Sequence, residues 1–562
     1  MMPTSQSSRR LVELLRYLAV VWVVCGILSN RAGTQTSPGP ERTEIPSGPY
    51  RIAGTVVNAR VGAPLATSHV TIADAKNGQN VRSVITGADG RFEFHVPPGK
   101  YLLQGAKRGF IAAAYNHHEQ FSTAIVTGAD LDTENLSLRL APNAILTGKV
   151  LDEFGEPVRS AQIVVYRETH FQGTSRTLRV RNATTDDQGH YEVTPLAEGT
   201  FFVSAQASPW YAIHPTMNAE GAAKAPPQVD SSLDVAYPIT YYGDATEADD
   251  ATPIPVRGGD RLEADIHLNP IPALHLVIHV PEGGKGGTAF PILQKPVFEG
   301  VQRLDQGNVQ YIAPGLYEMT GVAPGRYTVR APDSNGQMQK EAAEINLSDS
   351  GELHVSAGSP TSKIKATVQI EGAASVPPDL VIGLLNSKRN EGIAQVDSKG
   401  EANFPEVIAG NYDVVASSST KPYSVVRITS ETGRISGHAL NVPPDASFTI
   451  ALRLVAGSVT VEGFARQAGK AASGVMIVLV PKNPEANRDR FRRDQSDLDG
   501  SFALPGVIPG SYTIIAIENG WDLDWAEPAL VAHYLKHGQA IEIRDRSQTT
   551  VHMAEAVEVQ AK

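Results

Sequence analysis

The sequence predicts an all-β fold built from about five tandem β-sandwich domains. A phrase rich in turn residues recurs five times: "DGRFEFHVPPGKY", "DQGHYEVTPLAEGTF", "GLYEMTGVAPGRY", "DSKGEANFPEVIAGNY" and "DGSFALPGVIPGSY". In four copies the first glycine precedes the second by ten residues and the final aromatic residue by twelve, and the first copy is one residue shorter. The 50 glycines and 38 prolines supply turns between short strands.

The chain length and the repeats together set the domain organisation. At about 100–150 residues per domain, 562 residues make four or five domains. The predicted domain ranges are 49–142, 143–270, 271–358, 359–455 and 456–562. The second domain carries a long insertion, the third is a degenerate copy, and we expect the domains to be arranged as beads on a string.

The N-terminus has the pattern of an export signal. Arg9, Arg10 and Arg16 precede a twelve-residue apolar run, Tyr17–Leu28, which is the length of a signal-peptide core and short for a membrane span. We expect residues 1–33 to be a signal peptide and residues 34–48 a flexible linker. The alternative is an uncleaved single-pass anchor with its basic residues inside. Both place the domains outside the cytoplasm, in the periplasm, on the outer surface or secreted.

Alternation and turn chemistry predict the strands inside each repeat. In "RFEFHV", Phe92, Phe94 and Val96 alternate with polar residues, the period of a half-buried strand. In the "P-G-x-Y" turns we expect proline to preset φ, glycine to take the left-handed conformation, and the aromatic ring to pack into the sandwich. The apolar spacing of Leu530, Val531 and Leu535 predicts one or two helical turns in the segment Pro528–Gln539.

Composition argues against several classes of function. The net charge of -11 argues against nucleic-acid binding, which needs a basic face. Cys25, the single cysteine, lies in the predicted signal segment, so the exported domains have no thiol chemistry. Neither HExxH nor GxSxG occurs, and we predict no enzyme, no catalytic residue and no cofactor. His117, His118 and Glu119 are adjacent, so on a strand they would point to opposite faces, and they predict an exposed polar loop rather than a zinc site.

The repeated motif resembles that of a known family. In the second domain "GKVLDEFGEPVRSAQIVVY" is followed by "DDQGHYEVTPLAEGTF", and this pattern resembles the carboxypeptidase regulatory-like domain. The resemblance is strong in domains one and two, fair in four and five, and weak in three. It implies transthyretin-like (prealbumin-like) Greek-key sandwiches, grouped with carbohydrate-binding-like folds. It also implies an accessory or adhesive module of an exported bacterial protein rather than a catalytic one.

Aromatic rings in polar, turn-rich stretches are the candidate carbohydrate-binding residues. Sugar C–H faces stack on exposed rings beside a few polar groups. The candidates are Trp210, Tyr241, Tyr242, Trp521 and Trp525. The alternative is that these rings fill the ends of the sandwiches.

One acidic loop is a candidate calcium site, because clustered carboxylate oxygens can hold this ion. The segment "GDATEADDA" offers Asp244, Glu247, Asp249 and Asp250. Its spacing does not fit the twelve-residue EF-hand loop. The carboxylates Asp497 and Asp499 in "SDLDG" are weaker candidates, because the Asp-Gly pair there is already explained as a turn.

The predicted function is therefore a non-catalytic, exported protein that binds, adheres or acts as a scaffold at the cell envelope. Carbohydrate is the leading ligand class, and the partner is a polysaccharide or an envelope protein. Two alternatives remain open: a structural stalk, and an accessory subunit or regulator of an envelope enzyme or transporter.

Overall fold

The computed structural model describes residues 47–562 except 77, 79–80, 129–130, 172, 217–229, 281–289, 305–308, 331–342, 356–360, 374, 387–388, 431–433, 437–438 and 545–548. The predicted signal or anchor segment, and the linker as far as residue 46, lie outside the described residues. Strands dominate the described chain, which confirms the all-β fold. Within that part of the chain, no helix combines the length and apolar character needed to cross a membrane.

The first sandwich defines the strand plan. Its strands are β1 (Tyr50–Asn58), β2 (His69–Asp74), β3 (Arg82–Ile85), β4 (Arg91–Val96), β5 (Lys100–Ala106), β6 (Ala113–Ala114), β7 (Ile125–Val126) and β8 (Leu136–Leu140). One sheet has the order β4-β1-β8, with β1 antiparallel to β4 and parallel to β8. The other has the order β3-β2-β5-β6, and β7 also pairs with β5. The alternation predicted for β4 is confirmed, since Phe92, Phe94 and Val96 are buried.

The second sandwich repeats this plan. Its strands are β9 (Ala144–Leu151), β10 (Gln162–Phe171), β11 (Thr174–Thr184), β12 (His190–Leu196), β13 (Gly199–Gln206), β14 (Val235–Ala236), β15 (Thr240–Tyr241), β16 (Ile254–Val256), β17 (Arg261–Glu263) and β18 (Ile266–His267). Here β9 is antiparallel to β12 and parallel to β17 and β18. The insertion contains β14, β15 and two 3-10 helices, Ser231–Leu233 and Ala248–Asp250.

In each of the next two sandwiches, a strand near the start of the domain again runs parallel to the last strand of that domain. The third contains β19 (Ile271–Pro272), β20 (Leu274–His279), β21 (Ile292–Val297), β22 (Gly300–Arg303), β23 (Val309–Ala313), β24 (Leu316–Val322), β25 (Gly325–Arg330), β26 (Ala343–Leu347) and β27 (Gly351–His354). The fourth contains β28 (Thr361–Ile370), β29 (Val381–Asn386), β30 (Arg389–Gln395), β31 (Glu401–Ile408), β32 (Gly410–Ser417), β33 (Tyr423–Ser430), β34 (Arg434–Ser436), β35 (Ala439–Val442) and β36 (Ser447–Ala456). β20 runs parallel to β27, and β28 parallel to β36.

The fifth sandwich adds a helix. It contains β37 (Val459–Gln467), β38 (Lys470–Ala471), β39 (Met476–Pro481), β40 (Arg492–Gln495), β41 (Ser501–Val507), β42 (Gly510–Ile517), α1 (Pro528–Leu535), β43 (Gln539–Ile543), β44 (Thr550–His552) and β45 (Val557–Gln560), with 3-10 helices at Arg488–Arg490 and Gly520–Asp522. The short helix predicted near Pro528 is confirmed by α1. Among the described residues, each of the five largest buried apolar clusters draws its buried members from one predicted domain range. The domain boundaries themselves stay predictions.

The repeated "P-G-x-Y" turn is held by a tyrosine hydroxyl. In four copies the hydroxyl donates to the carbonyl oxygen four residues upstream, at 2.6–2.9 Å, from Tyr101, Tyr327, Tyr412 and Tyr512. The expected left-handed glycine is wrong for the copies at Gly99, Gly410 and Gly510, which are absent from the positive-φ residues. A Cβ at these three glycines would lie 3.3–3.6 Å from the tyrosine ring or hydroxyl, so glycine leaves room for the ring.

The fifth domain packs against the first, and the expectation of independent beads is therefore wrong. Lys100 Nζ donates to Asp497 Oδ2 at 2.7 Å, and the Ala124 amide donates to Asp497 Oδ1 at 2.9 Å. Burial raises the pKa of Asp497, and the ion pair with Lys100 opposes that rise. The Leu498 amide donates to the Ala124 carbonyl at 3.0 Å, which extends the contact into the backbone.

A guanidinium group forms a second contact in this interface. Arg493 pairs with Glu119, with Nη1 and Oε1 3.1 Å apart. Its guanidinium carbon lies 5.0 Å from the ring centroid of Phe121 and 4.6 Å from that of Trp525, within the range of cation–π attraction. The loop 117–121, which we expected to be exposed and polar, is exposed at residues 117, 119 and 120, and it also supplies contacts to the fifth domain.

The fifth domain also contacts the second. The Ala526 amide donates to the Gly173 carbonyl at 3.3 Å, in the turn between β10 and β11. His170 Nε2 lies 3.5 Å from Asp524 Oδ1. The segment after β42 therefore touches both N-terminal sandwiches.

Replacing Tyr412 by Phe should destabilise the fourth sandwich. The change leaves the Ile408 carbonyl without its 2.9 Å hydrogen bond in a buried position, which should cost about 1–3 kcal/mol. Native-state hydrogen exchange of β31 and β32 measures the loss. Tyr311→Phe is the matched control, because the Tyr311 side chain is exposed and should lose little. Equal losses in both variants would contradict the role given to the hydroxyl.

The Arg493–Glu119 pair should show strong coupling in a double-mutant cycle. The two side chains are only 5% and 25% exposed, so we expect about 1–3 kcal/mol of interaction free energy from the Ala variants. Urea unfolding of the single and double variants gives this value. The exposed pair Arg544–Glu542 is the control and should give less than about 1 kcal/mol. Coupling no larger than the control's would show that the pair does not hold the interface.

Candidate functional site

Two of the candidate rings are used inside the molecule. Trp521 stacks on His118 of the first domain, with ring centroids 4.7 Å apart and an interplanar angle of 5°. Its Nε1 donates to the Gly474 carbonyl at 3.3 Å. Trp525 packs against Phe491, with centroids 6.0 Å apart, and against Arg493. Both rings are half-buried in the interdomain contact, so they pack against protein groups rather than lie open to a ligand.

A third candidate ring is fully buried. Tyr241 is 0% exposed and lies edge-on to Phe298 of the third domain, with centroids 6.0 Å apart. β15 pairs with β13, with Tyr241 opposite Ser204, and the ring lies in an apolar cluster shared by the second and third domains. The expectation that Tyr241 offers a ring face to a ligand is therefore wrong. Tyr242 is half-buried against the core of the second sandwich.

Trp210 is the candidate ring that the structure leaves open. Its side chain is 84% exposed, and it packs edge-on against Tyr211 with centroids 5.9 Å apart and an angle of 87°. A turn fixes the backbone here, because the Ala212 amide donates to the Pro209 carbonyl at 3.1 Å. The ring is thus presented from an ordered turn at the start of the insertion.

A half-buried hydrogen-bond cluster ties this turn to the segment of a second exposed ring. The Tyr211 hydroxyl donates to Glu153 Oε1, and the Tyr237 hydroxyl donates to Glu153 Oε2 at 2.7 Å. Glu153 immediately precedes Phe154, which is 75% exposed. We call the exposed residues of the two segments that this hydrogen bond joins, Trp210, Ile213 and Phe154, the Trp210 surface.

The electrostatics of this cluster keep its carboxylate charged. Partial burial alone would raise the pKa of Glu153, but the hydrogen bonds from Tyr211 and Tyr237 outweigh it and the pKa is lowered. Burial and the carboxylate raise the pKa of Tyr211 to about 12, and they raise the pKa of Tyr237 also. Both tyrosines therefore stay protonated and donate hydrogen bonds at neutral pH.

The acidic loop proposed for calcium does not bring its carboxylates together. Asp244 lies beside His267, 3.8 Å from the ring nitrogen, and Glu247 pairs with Lys295 of the third domain at 3.0 Å. Asp249 and Asp250 are exposed in a 3-10 turn. Among the described residues, the groups of three side chains with metal-binding geometry are formed elsewhere.

Those two groups were not found from the sequence. They are His214 with Asp234 and His275, and His279 with Glu352 and His354, each with ligand atoms within 4.8 Å of one another. The members of the first group lie far apart in the chain, and no local spacing motif joins them. One sequence feature could have indicated the first group: two metal-ligating residues, His214 and Asp234, lie in the insertion, and His275 lies at the start of the domain that follows it.

Comparison with known families identifies the first domain. Residues 51–138 match the carboxypeptidase regulatory-like domain. This range covers both sheets of the first sandwich, so the resemblance read from the repeated motif is confirmed there. The chain thus carries a carboxypeptidase regulatory-like domain within a series of β-sandwiches. No protein of curated function matches the chain.

Solved structures of bacterial proteins show a distant likeness. The Bacillus anthracis TIE protein is 11% identical, with 75% of this chain and 76% of that chain covered and a TM-score of 0.17. The minor pilin GBS52 of Streptococcus agalactiae is 12% identical over 40% of this chain and 97% of that chain, with a TM-score of 0.21. The shaft pilin SpaA of Lactobacillus rhamnosus GG is 12% identical over 39% and 97%, with a TM-score of 0.19. At these TM-scores the likeness supports no conclusion about function.

Replacing Glu153 by Gln should loosen the insertion in a pH-dependent way. The folded state lowers the pKa of Glu153, so its charge stabilises the fold above the unfolded pKa, and this contribution is lost as pH falls through the folded pKa. We expect the variant to lose about 1 kcal/mol or less at pH 7, because the carboxylate is only partly buried.

Hydrogen exchange over residues 207–216 and 230–242, measured at pH 7 and at acid pH, tests this expectation. The difference between wild type and variant should shrink at the lower pH. Glu134→Gln, in an exposed ion pair, is the control and should leave the insertion unchanged. A difference that is equal at both pH values would show that the charge of Glu153 does not hold the insertion.

Proposed function

We propose that this chain is an extracytoplasmic, non-catalytic binding protein whose Trp210 surface takes a carbohydrate chain. The observation that carries the proposal is the 84% exposed Trp210, held on an ordered turn that the Tyr211–Glu153 hydrogen bond joins to the segment of the exposed Phe154. Contiguous exposed apolar patches in soluble proteins mark binding surfaces, and exposed aromatic rings are their usual anchors. The apolar face of a sugar ring is the ligand that fits such a platform with polar groups beside it.

The polar partners of the surface fit the same ligand class. Glu153 is ionised, and it holds Tyr211 and Tyr237 in fixed positions. This arrangement orients the turn before any ligand arrives, and a pre-ordered site loses less entropy on binding. Sugar hydroxyls can then pair with carboxylate and phenol oxygens at the edge of the platform.

The first domain supports an accessory role. Residues 51–138 match a regulatory-like domain, and such a domain is expected to bind or support rather than to catalyse. Export rests on the N-terminal pattern of Arg9, Arg10, Arg16 and the apolar run that follows. These features favour adhesion or scaffolding at the cell envelope.

A polysaccharide-binding assay tests the proposal. The purified full chain is incubated with insoluble and soluble glycans, and the bound fraction is measured against glycan concentration. We expect saturable binding to at least one glycan, and a drop in affinity of about tenfold or more in Trp210→Ala, since loss of one stacking ring costs about 1–3 kcal/mol. Phe154→Ala should weaken binding in the same direction.

Tyr311→Ala is the matched control for the assay. Tyr311 is also an exposed aromatic residue, 53% exposed, but it lies on β23 of the third domain. Its removal should leave glycan binding unchanged. Equal loss in Tyr311→Ala and Trp210→Ala, or no binding to any glycan, would refute the site.

The second candidate function is a scaffold or accessory subunit. It is favoured by the contacts of the fifth domain with the first and second, which hold the domains together rather than leaving them as separate beads. A chain that binds no glycan but co-purifies with an envelope protein would support this function instead.

A further inference from the structure

We propose that His214, Asp234 and His275 form a binding site for a divalent transition-metal ion of the zinc class. The site lies where the insertion of the second domain meets the first long strand of the third. It is distinct from the acidic loop considered for calcium, and it does not depend on the carbohydrate proposal.

Two imidazole nitrogens and one carboxylate converge at this point. His214 Nδ1 lies 2.9 Å from Asp234 Oδ1, and His275 Nε2 lies 2.6 Å from Asp234 Oδ2. All three ligand atoms lie within 4.8 Å of one another. Zinc binds imidazole nitrogen and carboxylate oxygen at about 2.0–2.2 Å, so small side-chain rotations bring all three atoms to one ion.

The backbone places the three ligands independently of any ion. The Ile213 amide donates to the Leu233 carbonyl at 2.9 Å, which holds His214 beside Asp234. The Ala273 amide donates to the Asp234 carbonyl at 2.9 Å, and β14 pairs with β19, which brings β20 and His275 alongside. A site assembled by main-chain hydrogen bonds binds metal without a large ordering cost.

The type of ligand selects the class of metal. Imidazole suits zinc, copper, nickel and iron, whereas calcium and magnesium prefer sites made of oxygen atoms. The three side chains are 13%, 20% and 22% exposed, so they are shielded but reachable from solvent. Three protein ligands with a solvent-facing side leave a fourth position for water.

The same residues can also pair without metal, with both histidines donating to Asp234. That arrangement makes two hydrogen bonds through His214 Nδ1 and His275 Nε2. Metal binding replaces these bonds, because the same two nitrogens must be free of hydrogen to coordinate: each histidine then carries its hydrogen on the other ring nitrogen or releases it as a proton to solvent, and two imidazole–metal bonds and one carboxylate–metal bond form. The two interpretations, a hydrogen-bonded cluster and a metal site, differ in the affinity that they predict for added zinc.

The second histidine group provides a matched control. His279, Glu352 and His354 lie further along β20 and on β27, and their side chains are 37%, 64% and 70% exposed. Exposed groups of this kind bind metal weakly, because solvent competes and the side chains are not held. His354→Gln therefore removes a histidine of the same domain without touching the proposed site.

Zinc titration of the full chain tests the proposal. The chain, purified in detergent and stripped with EDTA, is titrated with zinc chloride by calorimetry and with cobalt(II) by visible absorption. We expect one tight zinc site per chain, and d–d bands of low-symmetry cobalt with a nitrogen and oxygen ligand set. His275→Gln should weaken zinc binding by more than about 100-fold, beyond the effect of losing an outer-shell partner, and His354→Gln should leave it unchanged.

Three outcomes would overturn the assignment: no tight zinc binding by the wild type, tight binding retained in His275→Gln, or tight binding lost in His354→Gln. Circular dichroism in EDTA checks that the variants are folded. If His275→Gln unfolds the third domain, His214→Gln makes the same test from the insertion, where the change affects no core strand.

Discussion

The contact of Arg493 with the first domain is the constraint on which the arrangement of the sandwiches depends. A guanidinium that is almost fully buried needs a partner for its charge, and Glu119 supplies it. The rings of Phe121 and Trp525 cover its faces. Because Arg493 belongs to the fifth domain and Glu119 to the first, two segments with three whole sandwiches between them in the sequence are held in contact. The hydrogen bond between Ala526 and Gly173 brings the second domain to the same place.

The fold of each sandwich could be predicted from the sequence because its determinants are local. The alternation of Phe92, Phe94 and Val96, and the fixed spacing of turn glycines, depend on neighbours a few residues away. The interdomain contacts depend on pairs such as Lys100 and Asp497, and no periodicity relates such positions. The glycine of the tyrosine turn shows an intermediate case. Its position was predicted, but its reason is the space needed by a ring that folds over it, which only the three-dimensional structure shows.

The dependence on residues distant in the sequence also explains why the aromatic candidates have different environments. Trp210, Tyr241 and Trp521 all lie in polar, turn-rich stretches, yet the first is exposed, the second fully buried and the third stacked on His118. Local composition cannot separate these cases, since the partner that covers a ring comes from another domain. Phe154 was missed although a signal existed. It occupies the turn position that Val61 occupies in the first domain, before the matching glycine, and both are exposed. An aromatic residue at a turn position where the other repeat has a smaller side chain is therefore a sequence signal for a binding surface.

The insertion of the second domain makes contacts that join this sandwich to the third one. One part of it, with Tyr241, packs into the apolar cluster shared with the third domain, where Tyr166 donates to Gln302 at 2.8 Å. Another part presents Trp210, and between them Asp234 faces His275. Ordering a loop costs conformational entropy, and these contacts provide the stabilisation that offsets it. The exposed ring of Trp210 is held by a different set of contacts, the Ala212–Pro209 and Tyr211–Glu153 hydrogen bonds, so the insertion can present this ring while its other parts join the second and third sandwiches.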